Sequence, residues 1–289
     1  MSPVTADPAR RPGICDAHVH LYGPLSRYPI EGVSPYTVPD LGVPELLQRM
    51  DAAGVERAVI VHPAVSGRDN RRTLDALAEH PARFRGVLVP PLTPPDEATL
   101  AAWHARGVRG LRFSYTASAQ AGMALDENLV ARIAEYGWHA QVHLEPNTLL
   151  AVEDRLSALK APVVIDHMAR IQAGQGIAHP AFGSLLRLLD RGHAWVKLSA
   201  PMRLSTAPTP PYGDVTPMAK ALIAHAPERV IWGSDWPHVN LATPSPPYAS
   251  LLALAHAWTD SSEARQRLLV GNACALYGFP PPAALDSGH

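Results

Sequence analysis

Short apolar and β-branched runs alternate with longer segments of helical character about eight times along this chain. The eight strand candidates are Ile14–His20, Arg57–His62, Phe84–Val89, Val108–Ser114, His139–Leu144, Pro162–Asp166, Ala194–Leu198 and Arg229–Gly233. Strands that alternate with helices pair in parallel, because each helix carries the chain back to the start of the next strand. Eight such units predict an α/β protein, a (β/α)8 TIM-like barrel whose active site lies at the carboxyl ends of its strands.

The segments between the strands agree with this fold. Val43–Ala53, Ala98–Arg106 and Glu127–Tyr136 read as helices, and a glycine follows each of them, as is common where helices end. An open doubly wound sheet is the competing fold, but no dinucleotide-type glycine fingerprint follows the first strand. Apolar residues make up 47% of the chain, enough for one core. We therefore expect residues 1–289 to form a single domain with flexible ends at about 1–12 and 283–289.

Composition excludes several classes of function. The formal net charge is -1, whereas a nucleic-acid binder usually shows a basic excess. No run approaches about 18 consecutive apolar residues, so no membrane span is expected. The two cysteines, Cys15 and Cys274, cannot build a disulfide framework, and no signal peptide is visible. These observations predict a cytoplasmic protein, monomeric or a small homo-oligomer, with no nucleic-acid or membrane partner.

Titratable side chains recur where the predicted strands end. His18 and His20 are two residues apart on the first strand, so both imidazoles face the same side. His143 ends the fifth strand, His167 follows the sixth and Asp235 follows the eighth. An isolated pair of histidines is more often structural, but the barrel would bring all five residues to one mouth. Neutral imidazoles with a carboxylate suit zinc or a similar ion.

Each residue type suggests a role in that site. Asp235 can act as a general base toward an attacking water, and His167 can polarise a carbonyl or bind metal. Arg112 and Arg203 lie at or just past strand ends, where guanidinium groups can bind substrate carboxylates.

Other strand-end residues are weaker candidates. Arg109 is out of phase with the fourth strand's inward positions and should face the helices. Tyr36 can contribute a hydroxyl from a loop. Glu145 and Lys197 can form a structural ion pair beneath the site.

Five segments together resemble the amidohydrolase superfamily, and within it the branch of 2-pyrone-4,6-dicarboxylate lactonases. They are Asp16–Leu21, Arg109–Phe113, Asp166–Met168, Trp195–Ser199 with Arg203–Ser205, and Trp232–His238. The likeness runs through most of the chain. It implies a barrel hydrolase that opens a small carboxylated lactone or related cyclic ester with an activated water.

The resemblance also implies roles for individual residues. His18, His20, His167 and Asp235 would form the catalytic centre. Arg112 and Arg203 match the family's carboxylate-binding arginines, and His238 or Asn240 would contact the substrate, as would His143.

The resemblance leaves the metal open. No lysine ends the fourth strand, which argues against a bridged dinuclear centre, and the lactonase branch is thought to work without metal. His143, however, stands where that branch has a tyrosine and restores the histidine of mononuclear members. We expect one divalent ion, zinc, held by His18, His20, His143 and Asp235, with His167 as an alternative ligand and a metal-free mechanism as the other possibility.

Two other functions remain open at this stage. A metal-dependent decarboxylase of the same superfamily uses a similar histidine and aspartate set, although the Trp195–Ser199 segment and Arg203 favour the lactonase. A non-catalytic barrel that binds a ligand is the alternative of another class. Convergent buried charges argue against it, because burying charge without a function is costly.

Overall fold

Eight parallel strands form one sheet in which each strand pairs with the next along the chain, as seen in a computed structural model that describes residues 13–30, 33–115 and 125–281. The strands β1 to β8 are Cys15–Val19, Arg57–Val61, Phe84–Leu88, Val108–Ser114, His139–His143, Val163–Ile165, Ala194–Ser199 and Val230–Gly233. The predicted (β/α)8 barrel is confirmed. The predicted flexible ends, 1–12 and 283–289, lie outside the described residues.

Backbone hydrogen bonds at the end of β8 nearly close the barrel. The amide of Asp235 donates to the carbonyl of His18 at 2.9 Å, and the amide of His20 donates to the carbonyl of Trp236 at 2.8 Å. Val19 and Trp236 form a parallel bridge. The first strand therefore meets the segment just after the last one, at the end where the predicted site residues gather.

Helices alternate with the strands and cover the outside of the barrel. Helices α1 to α10 are Val43–Ala53, Arg71–Glu79, Glu97–Ala105, Glu127–Ala134, Pro146–Ser157, Pro180–Asp190, Thr216–His225, Tyr248–Ala257, Ser262–Gln266 and Asn272–Tyr277. Their apolar faces pack on the outer face of the sheet, as with Leu46 and Met50 of α1, which are both fully buried. In the part of the chain that the structure describes, no helix combines the length and apolar character needed to cross a bilayer.

The chain from Ser262 to Tyr277 is helical but not α-helical throughout. After α9 the chain makes a π-helical turn, Arg267–Gly271, and then continues as α10. The turn contains Leu268, Leu269 and Val270, which are all buried. A regular α-helix spreads three consecutive residues over about 200° of its circumference, so the wider turn brings the apolar run closer to one face.

Candidate active site

A pocket of about 210 Å³ lies at the carboxyl ends of the strands. Its lining comes from nearly every strand end and from the loops above them: His20, Tyr22, Tyr36, Pro63, Ala64, Val65, Arg112, His143, His167, Arg170, Arg203, Asp235, Val239 and Asn240. Most of the predicted site residues thus share one cavity. His18 lies just beneath it, fully buried, with its ring 4.6 Å from that of His167.

Asp235 is the centre of the site. Its Oδ1 atom lies 3.4 Å from Nε2 of His20 and 3.8 Å from Nε2 of both His18 and His167. Its Oδ2 atom accepts a hydrogen bond of 2.9 Å from Nε of Arg203. One oxygen is therefore anchored by the guanidinium, and the other faces three imidazoles.

Burial and neighbouring charges have opposite effects on this carboxyl. Burial alone would raise the pKa of Asp235, but Arg203 and then His167 hold it well below its usual value. Burial lowers the pKa of His167 to about 4, although Asp235 acts in the other direction. Burial likewise holds the pKa of His18 well below its ordinary value. At neutral pH the site therefore contains an ionised carboxylate beside the neutral imidazoles of His18 and His167.

Hydrogen bonds within the barrel hold Nδ1 of His20 and Nδ1 of His167. Nδ1 of His20 lies 2.7 Å from the carbonyl of Val61, so it carries a proton. Nδ1 of His167 lies 2.8 Å from the hydroxyl of Ser199, which can donate or accept. Nε2 of His18 is buried and has no hydrogen-bond partner among the described residues. All three Nε2 atoms thus point to Asp235.

This donor set fits a metal ion. Ligand atoms of His18, His167 and Asp235 lie within 4.8 Å of one another. Two donors that each bind one zinc at about 2.0–2.2 Å are at most about 4.4 Å apart, and the three Nε2–Oδ1 distances fall below that limit. His20 and His143 lie outside the 4.8 Å group. The family's common use of metal is therefore matched by a His/His/Asp cluster here.

The backbone is strained where it presents these side chains. The residues directly after β6 have left-handed conformations, with φ of 53° at His167 and 58° at Arg170, and Asp235 after β8 has φ of 66°. Such angles are uncommon for residues other than glycine and cost on the order of 1–3 kcal/mol each. The surrounding barrel holds these turns, which direct His167 and Asp235 into the pocket.

Three guanidinium groups line the same cavity. Nε of Arg112 donates to Asp166 at 2.9 Å, and Nη1 of Arg170 lies 3.2 Å from Glu145. Arg203, besides its bond to Asp235, donates from Nη2 to the carbonyl of Val239. The pocket lining therefore carries three guanidinium groups, each paired with a carboxylate. Arg109 bonds to backbone carbonyls away from the pocket, as its position on the strand predicted.

The other predicted substrate contacts divide into two groups. Tyr36, His143 and Asn240 line the pocket. His238 does not: its Nε2 donates to the carbonyl of Ser234 at 3.1 Å, and its Nδ1 lies 2.7 Å from the hydroxyl of Ser245. Both ring nitrogens of His238 are engaged within the loop, so its predicted substrate contact has no support from the geometry.

Three buried residues beneath the pocket were not predicted as part of the site. Asp166 bonds to Arg112, and Lys197 and Gln141 bond to each other. The expected ion pair between Glu145 and Lys197 is wrong, because Glu145 pairs with Arg170 near the surface and Lys197 lies inside the barrel. The available signal was strand alternation, which directs Gln141 and Lys197 inward but does not show what each meets there.

Comparisons with known proteins agree with the geometry. Residues 15–279 match the family model described as Amidohydrolase. A 4-sulfomuconolactone hydrolase of Hydrogenophaga intermedia is 36% identical over 92% of this chain and 89% of its own length. A 2-pyrone-4,6-dicarboxylate hydrolase of Comamonas testosteroni is 34% identical over 92% of this chain and 90% of its own.

A solved structure shows the same likeness in three dimensions. An apo structure from Agrobacterium tumefaciens, 30% identical, superposes with a TM-score of 0.83 over 95% of this chain and 98% of that chain. The family model and these relatives each span most of the chain, as does the strand-end site. The chain belongs to the amidohydrolase family.

Proposed function

We propose that the protein is a hydrolase that opens a small lactone carrying acidic groups, with Asp235 as the general base. The observation that carries the proposal is the ionised Asp235 facing three imidazoles in a pocket walled by guanidinium groups. Its Oδ2 is held by Arg203 at 2.9 Å, which leaves Oδ1 directed toward the site where a water would bind. A carboxylate so placed can accept a proton from that water.

The arginines support an acidic substrate. Arg112, Arg170 and Arg203 line a pocket whose lining contains one carboxylate, that of Asp235. Guanidinium groups bind carboxylates and similar anions through paired, charge-assisted hydrogen bonds. The names of the two curated relatives describe rings that carry sulfo or carboxylate groups. The same class of substrate suits this pocket.

The reaction balances with the residues present. Asp235 takes a proton from water as the water oxygen bonds to the ring carbonyl carbon. The ring C–O bond then breaks, and the departing oxygen takes that proton from Asp235, which yields an open-chain acid and restores the carboxylate. Ser199 can donate its hydroxyl proton to Nδ1 of His167. In that tautomer Nε2 of His167 carries the proton and can polarise the carbonyl.

We propose in addition that one divalent ion, zinc, binds at His18 and Asp235 with His167 assisting; His20, an expected ligand, lies outside this donor group. When bound, such an ion lowers the pKa of a coordinated water toward about 7. The donor-atom group of His18, His167 and Asp235 supports His167 as the assisting ligand more than His143. In this arrangement Ser199 accepts the Nδ1 proton of His167, which leaves Nε2 bare.

A lactone panel tests the proposal. Carboxylated lactones and a matched uncharged lactone are incubated with the protein, and proton release is followed with a pH indicator while headspace carbon dioxide is measured. We expect proton release with the acidic lactones and no carbon dioxide. Carbon dioxide release from aromatic acids without lactone opening would instead indicate a decarboxylase, and turnover of neither would refute catalysis of this kind.

A further inference from the structure

A cluster of buried polar side chains lies beneath the pocket. Asp166, Lys197, Gln141 and His18 all have 0% exposure, and Arg112 has 4%. Burying an ammonium and a carboxylate costs more than their attraction returns unless their remaining hydrogen-bonding groups are satisfied. An apolar core would serve stability at least as well. The cluster therefore points to a role in the site above it.

Asp166 is surrounded by donors. Its Oδ2 accepts from Nε of Arg112 at 2.9 Å. Its Oδ1 accepts from Nε2 of Gln141 at 2.8 Å and lies 3.3 Å from Nδ1 of His18. Nζ of Lys197 lies 3.9 Å away. Two of these four neighbours, Arg112 and Lys197, are cations. Asp166 is thus a carboxylate with hydrogen-bond donors on β1, β4 and β5.

The protons of Lys197 are directed mainly elsewhere. Nζ donates to the carbonyl of Ala17 at 2.8 Å and to Oε1 of Gln141 at 2.9 Å. The bond from Lys197 and the bond to Asp166 together fix the amide of Gln141, because its oxygen must face the lysine and its nitrogen must face Asp166. Nδ1 of His18 then lies between Lys197 at 3.4 Å and Asp166 at 3.3 Å. Nδ1 can either accept a proton from Lys197 or donate its own proton to Asp166. A charged carboxylate is the stronger hydrogen-bond acceptor, so Nδ1 keeps its proton and donates to Asp166.

We infer that Asp166 is a positioning residue that holds the proton of His18 on Nδ1, and so leaves Nε2 bare toward Asp235. Lys197 and Gln141 hold Asp166 in place. The same carboxylate orients Arg112 through its other oxygen. The inference deepens the proposed function, because it assigns the ring state of His18 on which both metal binding and base orientation depend. Carboxylates that orient imidazole ligands act in this way in many metal sites.

The ring state of His18 can be measured without any substrate. Chelator-treated protein labelled with ¹⁵N-histidine is studied by NMR at neutral pH, and the signals that disappear in His18→Gln identify the residue. We expect one protonated nitrogen, Nδ1, and one bare nitrogen, Nε2. A His18 that carries its proton on Nε2 would overturn the inference, because Lys197 would then donate to Nδ1.

Asp166→Asn tests the role of the carboxylate directly. The amide nitrogen must replace one oxygen, and the Oδ2 side has one donor neighbour whereas the Oδ1 side has three. The oxygen left facing His18 is neutral and competes weakly for the proton. We expect a mixture of His18 tautomers and a loss of zinc affinity of about 10- to 100-fold, measured by competition with a chelator.

Asp16→Asn is the matched control. Asp16 is also fully buried and lies on β1, but it accepts from the backbone amides of His18 and Ser234 and from the hydroxyl of Tyr248. It therefore touches no imidazole nitrogen. We expect the control to keep the wild-type tautomer and zinc affinity within a few-fold.

The outcomes separate the inference from the proposed function. Equal tautomer populations and zinc affinity in Asp166→Asn and wild type would refute the positioning role. If that variant does not fold, the wild-type spectrum still decides, since it reports the tautomer alone. A protein with the expected His18 ring state that opens no lactone would refute the proposed function and leave the positioning role standing.

Discussion

Replacing Asp235 by asparagine removes the proposed base with little change of shape. The asparagine oxygen can occupy the position of Oδ2 and accept from Nε of Arg203, a bond that is 2.9 Å long in the structure. The amide nitrogen then faces Nε2 of His20, which lies 3.4 Å from Oδ1 in the structure. Both halves of the amide find partners, so we expect the pocket to keep its form.

The loss should fall on the chemical step. General-base catalysis contributes about 10²–10⁴ in rate, which corresponds to roughly 3–5 kcal/mol of transition-state stabilisation. The neutral amide also removes the charge that Arg203 pairs with. That guanidinium becomes freer to bind an acidic substrate, so KM should stay within a few-fold or fall. A drop in kcat without a rise in KM is the expected signature.

The assay is initial-rate proton release from a carboxylated lactone, with a thermal unfolding scan to show that Asp235→Asn is folded. Asn240→Ala serves as a comparison, because Asn240 lines the same pocket without touching Asp235 in the described contacts. A folded Asp235→Asn enzyme with kcat within tenfold of wild type would refute the assignment of Asp235 as the base.

Three further predictions concern the pocket arginines, the metal ion and a buried histidine. Arg112→Met and Arg203→Met each remove a charge-assisted contact of about 1.5–3 kcal/mol, so KM for acidic lactones should rise about ten- to a hundredfold. An equal rise in KM for an uncharged lactone would contradict anion binding. Protein purified without chelators should contain about one zinc per chain by elemental analysis, and full activity after exhaustive chelation would exclude a required ion. Burial lowers the pKa of His139 to about 3, whereas the unfolded chain protonates this residue below about 6.5, so stability should fall as the pH drops below 6.5. At pH 5 this residue should cost about 2 kcal/mol, and urea unfolding at pH 7 and pH 5 should show a smaller loss for His139→Leu than for wild type.

The barrel and the outline of its site were predictable because both depend on local pattern. Alternation of apolar runs with helices indicates the eight strands, and each strand's end is visible in the sequence. His20, Arg112, His167 and Asp235 were assigned to one mouth on that basis, and all four line the pocket. Closure of the barrel brings His20 and Asp235 together, although more than two hundred positions separate them in the sequence.

The remainder depends on register between strands, which a single sequence does not show. Gln141 meets Lys197 and Asp166 because β5, β6 and β7 are staggered so that their inward residues face one another. Strand alternation states only that such residues point inward. His238 illustrates the converse: the family resemblance implied a substrate contact, but both ring nitrogens bond within the loop.

Hydrogen bonds also connect the arginines proposed to bind substrate with the residues proposed to activate water. Arg203 bonds to Asp235, and Arg112 bonds to Asp166, which in turn lies 3.3 Å from Nδ1 of His18. The other nitrogen of that ring lies 3.8 Å from Asp235. Each of these two arginines therefore ends on a carboxylate that touches the catalytic centre. An anion that draws either guanidinium toward itself pulls on the hydrogen bond to Asp235 or to Asp166, because each arginine donates from Nε to one of these carboxylates. Binding of the acidic group and activation of water are for this reason parts of one buried network.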